Sequence, residues 1–344
     1  MRPISLVIGT LFVAGCATVA LHEFNQRYGR PDPTRFDVAK APPAGMSYRQ
    51  DVQPILERRC VVCHACYDGP CQLKLTAWEG VARGTSKVPV YDSDRLLEAP
   101  MTRLFVDAQL PSQWWERDFS PVLNNRTATP ENNLAASVLY RSLALKREHP
   151  LPGTPILSKE FNFSLDADLT CPRIDEYEKH ASKKPLTGMP YGLPGLDERE
   201  FSTIQRWLAA GAPYEGDVPL SPTVQEQIRL WETFLNGDSN KERLMSRYLY
   251  EHLYLGTLYF ETDAQRRPLR LVRSAVPPGK AAVPIASRRP YDDPGVARVY
   301  YRLVPERETI VAKTHMPYAL SAARMEKYRG WFLAPTVTVT ALPG

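Results

Sequence analysis

The stretch "RRCVVCHACYDGPCQLKL", residues 58–75, decides how the first part of this chain is expected to fold. It places four of the six cysteines and one histidine within twelve residues: Cys60, Cys63, His64, Cys66 and Cys71. C-x-x-C-H is the attachment pattern of c-type haem, in which two thiols bond the porphyrin vinyl groups and the adjacent histidine lies beneath the iron. The pattern predicts one covalent haem c on Cys60 and Cys63, with His64 as an iron ligand.

Two other kinds of site compete for the same cysteines. Exported proteins often use closely spaced cysteines as a disulfide framework. A zinc site of four cysteines, or of three cysteines and a histidine, would normally need ligand pairs separated by a longer loop. A c-type cytochrome needs in addition a ligand on the far side of the iron and a closing helix, and the sequence offers both.

These two features lie in "LTGMPYGLPGLDEREFSTIQRWLAAGAP", residues 186–213. Met189 lies in a Gly/Pro-rich loop, where its thioether is free of helical constraint. Asp197 and Glu198 then indicate the start of a helix that ends at Gly211. The apolar face of this helix consists of Phe201, Ile204, Trp207 and Leu208. The arrangement resembles the methionine loop and C-terminal helix of class I cytochromes c, so Met189 is the predicted sixth iron ligand.

Other side chains remain candidates for the sixth position. His180 lies nine residues before Met189, and Met101 lies in "EAPMTRLF". "KTHMPY" adds His315 and Met316 as more distant candidates. The sequence alone does not choose among them.

The cysteines that the haem does not use have a separate interpretation. Cys66 and Cys71 are predicted to form a local disulfide that rigidifies the loop, with a pair of reactive thiols as the alternative. Cys171, in "DLTCPRIDEYEKH", is then left without an expected partner.

The N-terminus is typical of an exported protein. Residues 1–21 contain an apolar run that fits a signal peptide or a short membrane anchor. Three outcomes stay open: cleavage after Ala20, lipidation of Cys16 in "VAGC", or an uncleaved anchor. Each of them places the body of the protein outside the cytoplasm. Residues 22–45 are predicted to be a Pro-rich tether.

The composition predicts a mixed fold with many irregular connections, because 32 of the 344 residues are proline, about twice the usual ~5%. Residues 46–215 are predicted to be a mainly α, cytochrome c-like haem domain with a large insertion, in which 131–148 is helical. Residues 216–344 are predicted to be an α+β domain, partly all-β at its C-terminal end. The net charge of +5 is spread along the chain and gives no indication of nucleic-acid binding.

Periodicity gives more detail in the second domain. Residues 221–237 are predicted to form a helix with Ser221 as N-cap, and 241–262 a tyrosine-rich helical segment broken at Gly256. The segments 268–274, 297–305 and 335–344 alternate like strands. Trp114 and Trp115 either pack near the haem pocket or form an aromatic lip that meets lipid.

Several quoted stretches together resemble one family. "CVVCHACYDGPCQLKL", "RLF.DAQ", "W...FSPVLN" and "YLYEHLYLGTLYFE" look like the bacterial fatty acid cis/trans isomerases. The resemblance implies an exported, periplasmic c-type haem protein of Gram-negative bacteria, which depends on haem maturation machinery. It implies that the protein acts at the membrane surface and converts cis-unsaturated acyl chains of phospholipids to trans without moving the double bond. Members of the family are longer, so the chain is expected to be an N-terminal portion.

The implied chemistry assigns a role to the predicted ligands. The trans alkene is lower in energy, so only the rotational barrier has to be overcome. An oxidised haem iron held by His64 could act as a transient electron acceptor and reduce the order of the π bond. The alternative function is that of an exported monohaem cytochrome c, an electron carrier.

Overall fold

The computed structural model describes residues 22–65, 69–92, 95–154, 156–164, 167, 170–309 and 316–343. The predictions for the signal segment with Cys16 and Ala20, for Cys66 and for His315 lie outside these residues. The chain divides into two compact units. The first joins the residues up to Pro100 with Ala108–Gly216, and the second joins Met101–Asp107 with Asp217–Gly344.

The described part of the first unit is mainly helical. Its helices are α1 at residues 22–28, α2 at Gln53–Arg59, α3 at Trp78–Arg83, α4 at Pro111–Trp115, α5 at Pro130–Ala135, α6 at Val138–Glu148, α7 at Tyr177–Lys183 and α8 at Glu198–Ala209. Two short antiparallel pairs accompany them, β1 (Thr85–Ser86) with β4 (Phe119–Ser120) and β2 (Tyr91–Asp92) with β3 (Arg95–Leu96). Single helical turns lie at Tyr48–Val52, Pro70–Gln72 and Pro185–Thr187.

The helix predicted to close the first unit is confirmed. The Asp197 side chain accepts a hydrogen bond from the N–H of Glu200, and the Glu200 side chain accepts one from the N–H of Asp197, which completes a capping box. The four predicted apolar residues of α8 are all buried. Gly211 follows the helix with φ of +90°, a conformation that favours glycine.

The helix predicted over 131–148 is interrupted. α5 ends at Ala135 and α6 begins at Val138, because Ser137 adopts an extended conformation and caps the second helix. The Ser137 hydroxyl is fully buried, donates to Val122 O at 2.9 Å and accepts from the N–H of Tyr140. At this N-cap position the buried hydroxyl of Ser137 has both a donor and an acceptor as partners, which favours the break between α5 and α6.

Residues 22–45 are packed against the first unit, so the prediction of a tether is wrong. Phe36 is buried in the core of the unit. The N–H of Asp32 donates to Asn125 O at 2.7 Å, and Lys40 O accepts from the N–H of Tyr214 at 2.8 Å. The prolines indicated an irregular backbone here, and buried aromatic side chains together with these hydrogen bonds hold that backbone against the rest of the unit.

The second unit combines helices with a sheet. Its helices are α9 at Pro222–Leu235, α10 at Asn240–Leu253 and α11 at Ala322–Tyr328, followed by a helical turn at Arg329–Leu333. The strands β5 (Thr257–Phe260), β6 (Leu269–Ser274), β7 (Tyr300–Pro305) and β8 (Pro317–Leu320) form a sheet of order β7-β6-β5-β8. Neighbours are antiparallel except β5 and β8, which are parallel. The predicted α+β class of this part is confirmed.

Local predictions in this unit are partly right. Ser221 caps α9, and β6 and β7 lie within the predicted segments. Tyr259 and Phe260 belong to strand β5, not to a helix. Residues 335–343 form no strand, although they alternate like one, and Val337 is 68% exposed. Alternation produces a strand only where a neighbour supplies hydrogen bonds and one face is buried.

The two tryptophans of the insertion pack inside the protein. Trp114 is 1% exposed and forms a small cluster with Ala108 and Phe119. The indole N–H of Trp115 donates to Arg83 O at 3.0 Å. Both side chains therefore pack within the unit and do not form the aromatic lip. No helix within the described ranges is long and apolar enough to cross a membrane.

Candidate functional site

The C-x-x-C-H motif lies where α2 ends. Val52, Ile55 and Leu56 are buried along the turn and helix that precede the motif. Cys60 occupies the C-cap position and its N–H donates to Leu56 O at 2.9 Å. The N–H of His64 donates to Cys60 O at 3.0 Å, so the motif continues as one more turn. The short helix thus presents both thiols and the imidazole from a single compact loop.

The two motif thiols are free and differ in environment. Cys60 is half-buried against the hydrophobic core, whereas Cys63 is exposed. Burial raises the pKa of the Cys60 thiol to about 12. Cys60 is therefore a neutral thiol at physiological pH.

His64 is the buried titratable group of the motif. It is 8% exposed, and its Nδ1 lies 3.2 Å from Leu73 O. A carbonyl oxygen only accepts, so Nδ1 carries the proton. Burial lowers the pKa of His64, which keeps the ring neutral. The remaining ring nitrogen, Nε2, hydrogen-bonds no residue that the structure describes and keeps its lone pair for another ligand.

The carbonyl that orients His64 is itself fixed by close packing. Leu75 N–H donates to His64 O at 2.9 Å, which holds the segment after the motif against the motif. Gly80 of α3 lies so close to the same segment that a Cβ there would be 2.1 Å from Lys74 O. Only glycine allows this approach. Arg83 also donates to Gln72 O, the carbonyl next to Leu73.

The disulfide beside the motif differs from the predicted one. Cys71 is bonded to Cys171, one hundred residues further along the chain. The predicted Cys66–Cys71 pair is therefore wrong, and Cys171 acquires the partner that the sequence did not indicate. Spacing in sequence favoured the nearer thiol, whereas the fold brings the Cα atoms of Cys71 and Cys171 within 5.7 Å.

Removing this disulfide is expected to destabilise the first unit. A Cys71→Ser/Cys171→Ser variant frees a long loop in the unfolded chain, and the expected loss is about 2–4 kcal/mol of unfolding free energy. Urea denaturation of the haem-loaded protein measures it. The variant Ile156→Ser, which changes an 81% exposed side chain of the same unit, serves as a control for the substitution itself. Equal unfolding midpoints for wild type and the double variant would contradict the assignment.

Met189 lies in a loop that is pressed against α6. Its N–H donates to Ser142 O at 2.9 Å. A Cβ on the preceding Gly188 would be 2.4 Å from the backbone nitrogen of Lys146, so this position requires glycine. Met189 is half-buried and packs against the same hydrophobic core as Cys60.

Ion pairs join the motif to the segment that follows Met189. Arg59, the residue before Cys60, donates to the carbonyl of Pro194 at 3.2 Å and to that of Gly195. It also lies 3.2 Å from the carboxylate of Glu200 on α8. Arg58 approaches the same carboxylate at 3.5 Å. The structure therefore brings together the end of α2, the methionine loop and the start of α8, which are far apart in sequence.

The alternative ligands have other environments. His180 Nε2 lies 2.8 Å from the hydroxyl of Thr187, which itself donates to Lys184 O, so that nitrogen carries a proton. Met101 is grouped with the second unit. Met316 also belongs to that unit and is 52% exposed. Of the described candidates, only Met189 and His180 belong to the unit that contains the motif.

Some relevant residues carried no recognisable pattern in the sequence. The Leu73 carbonyl acts through its backbone, which no residue type reveals. Arg59 looked like an ordinary surface charge next to Cys60. In the sequence, Cys171 was the cysteine without an expected partner, and this was the available signal for a long-range disulfide.

Two further observations concern cavities and metal-binding groups near the site. A cavity of about 320 Å³ in the first unit is lined by Arg35, Trp78, Asn133 and neighbouring residues, but by neither motif cysteine, His64 nor Met189. Within the part of the chain that the structure describes, no group of three or more histidine, cysteine or acidic side chains could hold a metal ion.

Comparison with known families identifies the chain. The sequence model of the fatty acid cis/trans isomerase family matches residues 99–344. The chain belongs to the fatty acid cis/trans isomerase family. Its membership confirms the resemblance noted in the sequence and assigns it to isomerases that act on fatty acids. The chain matches no curated protein and no solved structure.

The matched range of this isomerase-family chain covers the second unit and much of the first. It includes Met189, α8 and Cys171, but it begins after the C-x-x-C-H motif at residues 60–64. The family assignment therefore rests on residues other than the predicted haem ligands.

Proposed function

We propose that this isomerase-family chain converts cis double bonds in phospholipid acyl chains to trans, and that it does so with a covalent haem c. Cys60 and Cys63 would hold the porphyrin and His64 would bind the iron. The observation that carries the proposal is the buried, neutral His64, whose Nδ1–H donates to Leu73 O. Two free thiols, Cys60 and Cys63, lie four residues and one residue before it in the same loop.

The residues present fit that group. Histidines that bind metals usually donate their second ring N–H to a carbonyl or carboxylate, as His64 does to Leu73 O. Free thiols at C-x-x-C spacing, followed directly by histidine, are the groups that c-type haem attachment requires. When bound, an oxidised haem iron supplies an electron acceptor, which weakens a π bond and lowers its barrier to rotation.

The protein's own residues would set the conditions for that chemistry. The Leu73 carbonyl fixes the tautomer and orientation of His64, which would leave the lone pair of Nε2 available to the iron. The core beside Cys60, which includes Trp207 and Ile204, excludes water from this side of the site. Met189 would supply the sixth ligand. Because the trans alkene is the lower-energy isomer, no ATP or reductant is required.

The same proposal places the protein in the periplasm, against the membrane surface. The Cys71–Cys171 disulfide supports it, because stable disulfides form in oxidising compartments. Covalent haem attachment would depend on the maturation machinery of that compartment. The apolar run before Leu21 supports export, either as a signal peptide or as an anchor.

Whole-cell lipid analysis tests the function. The protein is expressed in a host that lacks trans lipids and matures c-type haem, and the trans-to-cis ratio of phospholipid acyl chains is measured by gas chromatography. We expect trans chains with the wild type and none with Cys60→Ser/Cys63→Ser. A fully haem-loaded wild type that forms no trans product would contradict the proposal and favour the electron carrier.

Met189→Ala is expected to change the visible absorbance of the oxidised, haem-loaded protein. The substitution removes the thioether that would help to hold the iron, so the set of protein ligands that determines the absorbance would change. Met101→Ala, which removes a methionine of the second unit, is the matched control and should leave the spectrum unchanged. An unchanged spectrum for Met189→Ala, together with a changed one for Met101→Ala, would exclude Met189 as the ligand.

A further inference from the structure

The second unit contains a cavity of about 420 Å³, a size within the ~300–1,000 Å³ typical of small-molecule sites. It lies among the end of α9, one face of α10, the strands β6 and β7, and the loop over residues 290–299. Its lining is rich in basic and phenolic side chains: Arg243, Arg247, Arg273, Arg298, Tyr250 and Tyr301. Such a lining is typical of a site for an anion.

Arg273 is the buried cation of this cavity. It is 6% exposed, and it donates to Asp292 O at 2.8 Å and to the hydroxyl of Ser287 at 2.6 Å. Its Nε is buried and has no hydrogen-bond partner among the described residues. No described carboxylate forms an ion pair with it. A buried guanidinium without a counter-charge is costly, so an anion in the cavity would stabilise it.

Arg243 is a second cation of the lining without an acidic partner among the described residues. It lies on α10, one turn before Arg247, and its side chain makes no hydrogen bond or ion pair with any residue in the described ranges. Arg247 is engaged with Glu251 at 2.8 Å and with Pro343 O at 3.0 Å. Arg243 is therefore free to bind a ligand without giving up an existing contact.

The two acidic side chains of the lining accept hydrogen bonds from backbone N–H groups of their own loop. Asp292 accepts a hydrogen bond from the N–H of Arg289 at 2.7 Å, and Asp293 accepts one from the N–H of Gly295 at 2.9 Å. Both carboxylates thus shape turns of the loop. Four arginines against two aspartates leave the lining with a net positive charge.

The tyrosines contribute donors. Burial raises the pKa of Tyr250 and the pKa of Tyr301 to about 12, so both hydroxyls stay protonated. The Arg273 guanidinium lies 5.4 Å from the ring centroid of Tyr250, which keeps the two groups on one side of the cavity.

We propose that this cavity binds a phosphate group, with Arg243 and Arg273 as its principal ligands. The planar guanidinium presents paired N–H donors that match the oxygens of phosphate, and two such groups beside phenolic donors can surround one phosphoryl group. A phospholipid headgroup and free phosphate share this chemistry. The choice of the headgroup rests on the proposed function, because a bound headgroup would hold the substrate lipid on the protein.

Binding measurements on the full-length, haem-loaded protein test the proposal. Three probes are compared: inorganic phosphate, vesicles of phosphatidylcholine, and phosphate-free anionic vesicles of digalactosyl diacylglycerol with cholesteryl hemisuccinate. We expect Arg243→Gln to weaken binding of a phosphate-bearing probe about tenfold or more, as expected for the loss of a charge-assisted hydrogen bond. Arg229→Gln, which removes an exposed arginine of α9, should leave binding unchanged.

Comparing the three probes distinguishes a phospholipid headgroup from free phosphate. Arg243-dependent binding of phosphatidylcholine vesicles identifies the headgroup, and Arg243-dependent binding of inorganic phosphate alone identifies a free phosphate. Equal effects of Arg243→Gln and Arg229→Gln, or equally tight binding of the phosphate-free vesicles, would overturn the proposal. Arg273→Gln, at the other principal ligand, provides a second variant with the same expectation. Because the readout is binding, failure here leaves the haem proposal intact, and an inactive protein would still bind phosphate.

Discussion

His64→Ala is expected to reduce trans acyl-chain formation below detection and to abolish the absorbance of a histidine-ligated c-type haem. The substitution removes the Nε2 that would bind the iron and the Nδ1–H that Leu73 O holds. No other described histidine of the first unit has a free ring nitrogen in a comparable buried position beside the motif. Gas chromatography of the lipids and visible spectroscopy of the purified protein measure the two effects.

His149→Ala is the matched control for this variant. His149 is exposed at the C-terminal end of α6, so its loss should leave both absorbance and trans product unchanged. Trans product at the wild-type level in His64→Ala would rule out His64 as the ligand on which the reaction depends.

Trp207→Ala is expected to cause the largest loss of stability. The indole is fully buried, packs against Tyr48 with ring centroids 5.6 Å apart, and donates its N–H to Pro213 O at 2.9 Å. Truncation leaves a cavity and an unsatisfied carbonyl, and such losses cost about 3–5 kcal/mol of unfolding free energy. The denaturant midpoint of the haem-loaded protein gives the value.

Trp331→Ala provides the comparison, because that indole is 60% exposed. Its removal should change the unfolding free energy by no more than about 0.5 kcal/mol, as is usual for surface positions. If both variants unfolded at the same midpoint, the core assigned to α8 would be wrong. Trp207 joins α8 to the helical turn that leads into α2, so its loss should also loosen the loop that carries His64.

Local patterns in the sequence predicted the elements whose causes are local. α8 followed from its capping residues and its apolar face, and α9 from Ser221. The strands β6 and β7 followed from alternation of apolar residues. In each case the residues that specify the element lie within it, so periodicity and caps were sufficient.

Features that depend on distant contacts could not be predicted in the same way. The Cys71–Cys171 disulfide joins thiols one hundred residues apart, and no spacing rule identifies such a pair. The pairing of β5 with β8 depends on how the chain returns to the sheet. The segment 335–343 has the pattern of a strand but pairs with no strand in the described ranges, which only the fold reveals.

In the candidate site, too, some residues could be predicted from local sequence and others depend on distant contacts. Cys60, Cys63 and His64 were recognisable because their chemistry requires a fixed spacing. The Leu73 carbonyl and the contacts of Arg59 with the methionine loop were not, because backbone atoms and surface charges carry no such pattern. The family match at residues 99–344 supplies the activity independently of the motif.

The most direct test of haem-dependent isomerisation uses purified protein and vesicles of a cis-unsaturated phosphatidylcholine. Wild-type protein is prepared with covalent haem and, from a host without the maturation machinery, without it. Trans acyl chains are then measured over time by gas chromatography. We expect trans chains to accumulate in proportion to the haem-loaded fraction and not at all with the haem-free protein. Equal rates for the two preparations would contradict the account.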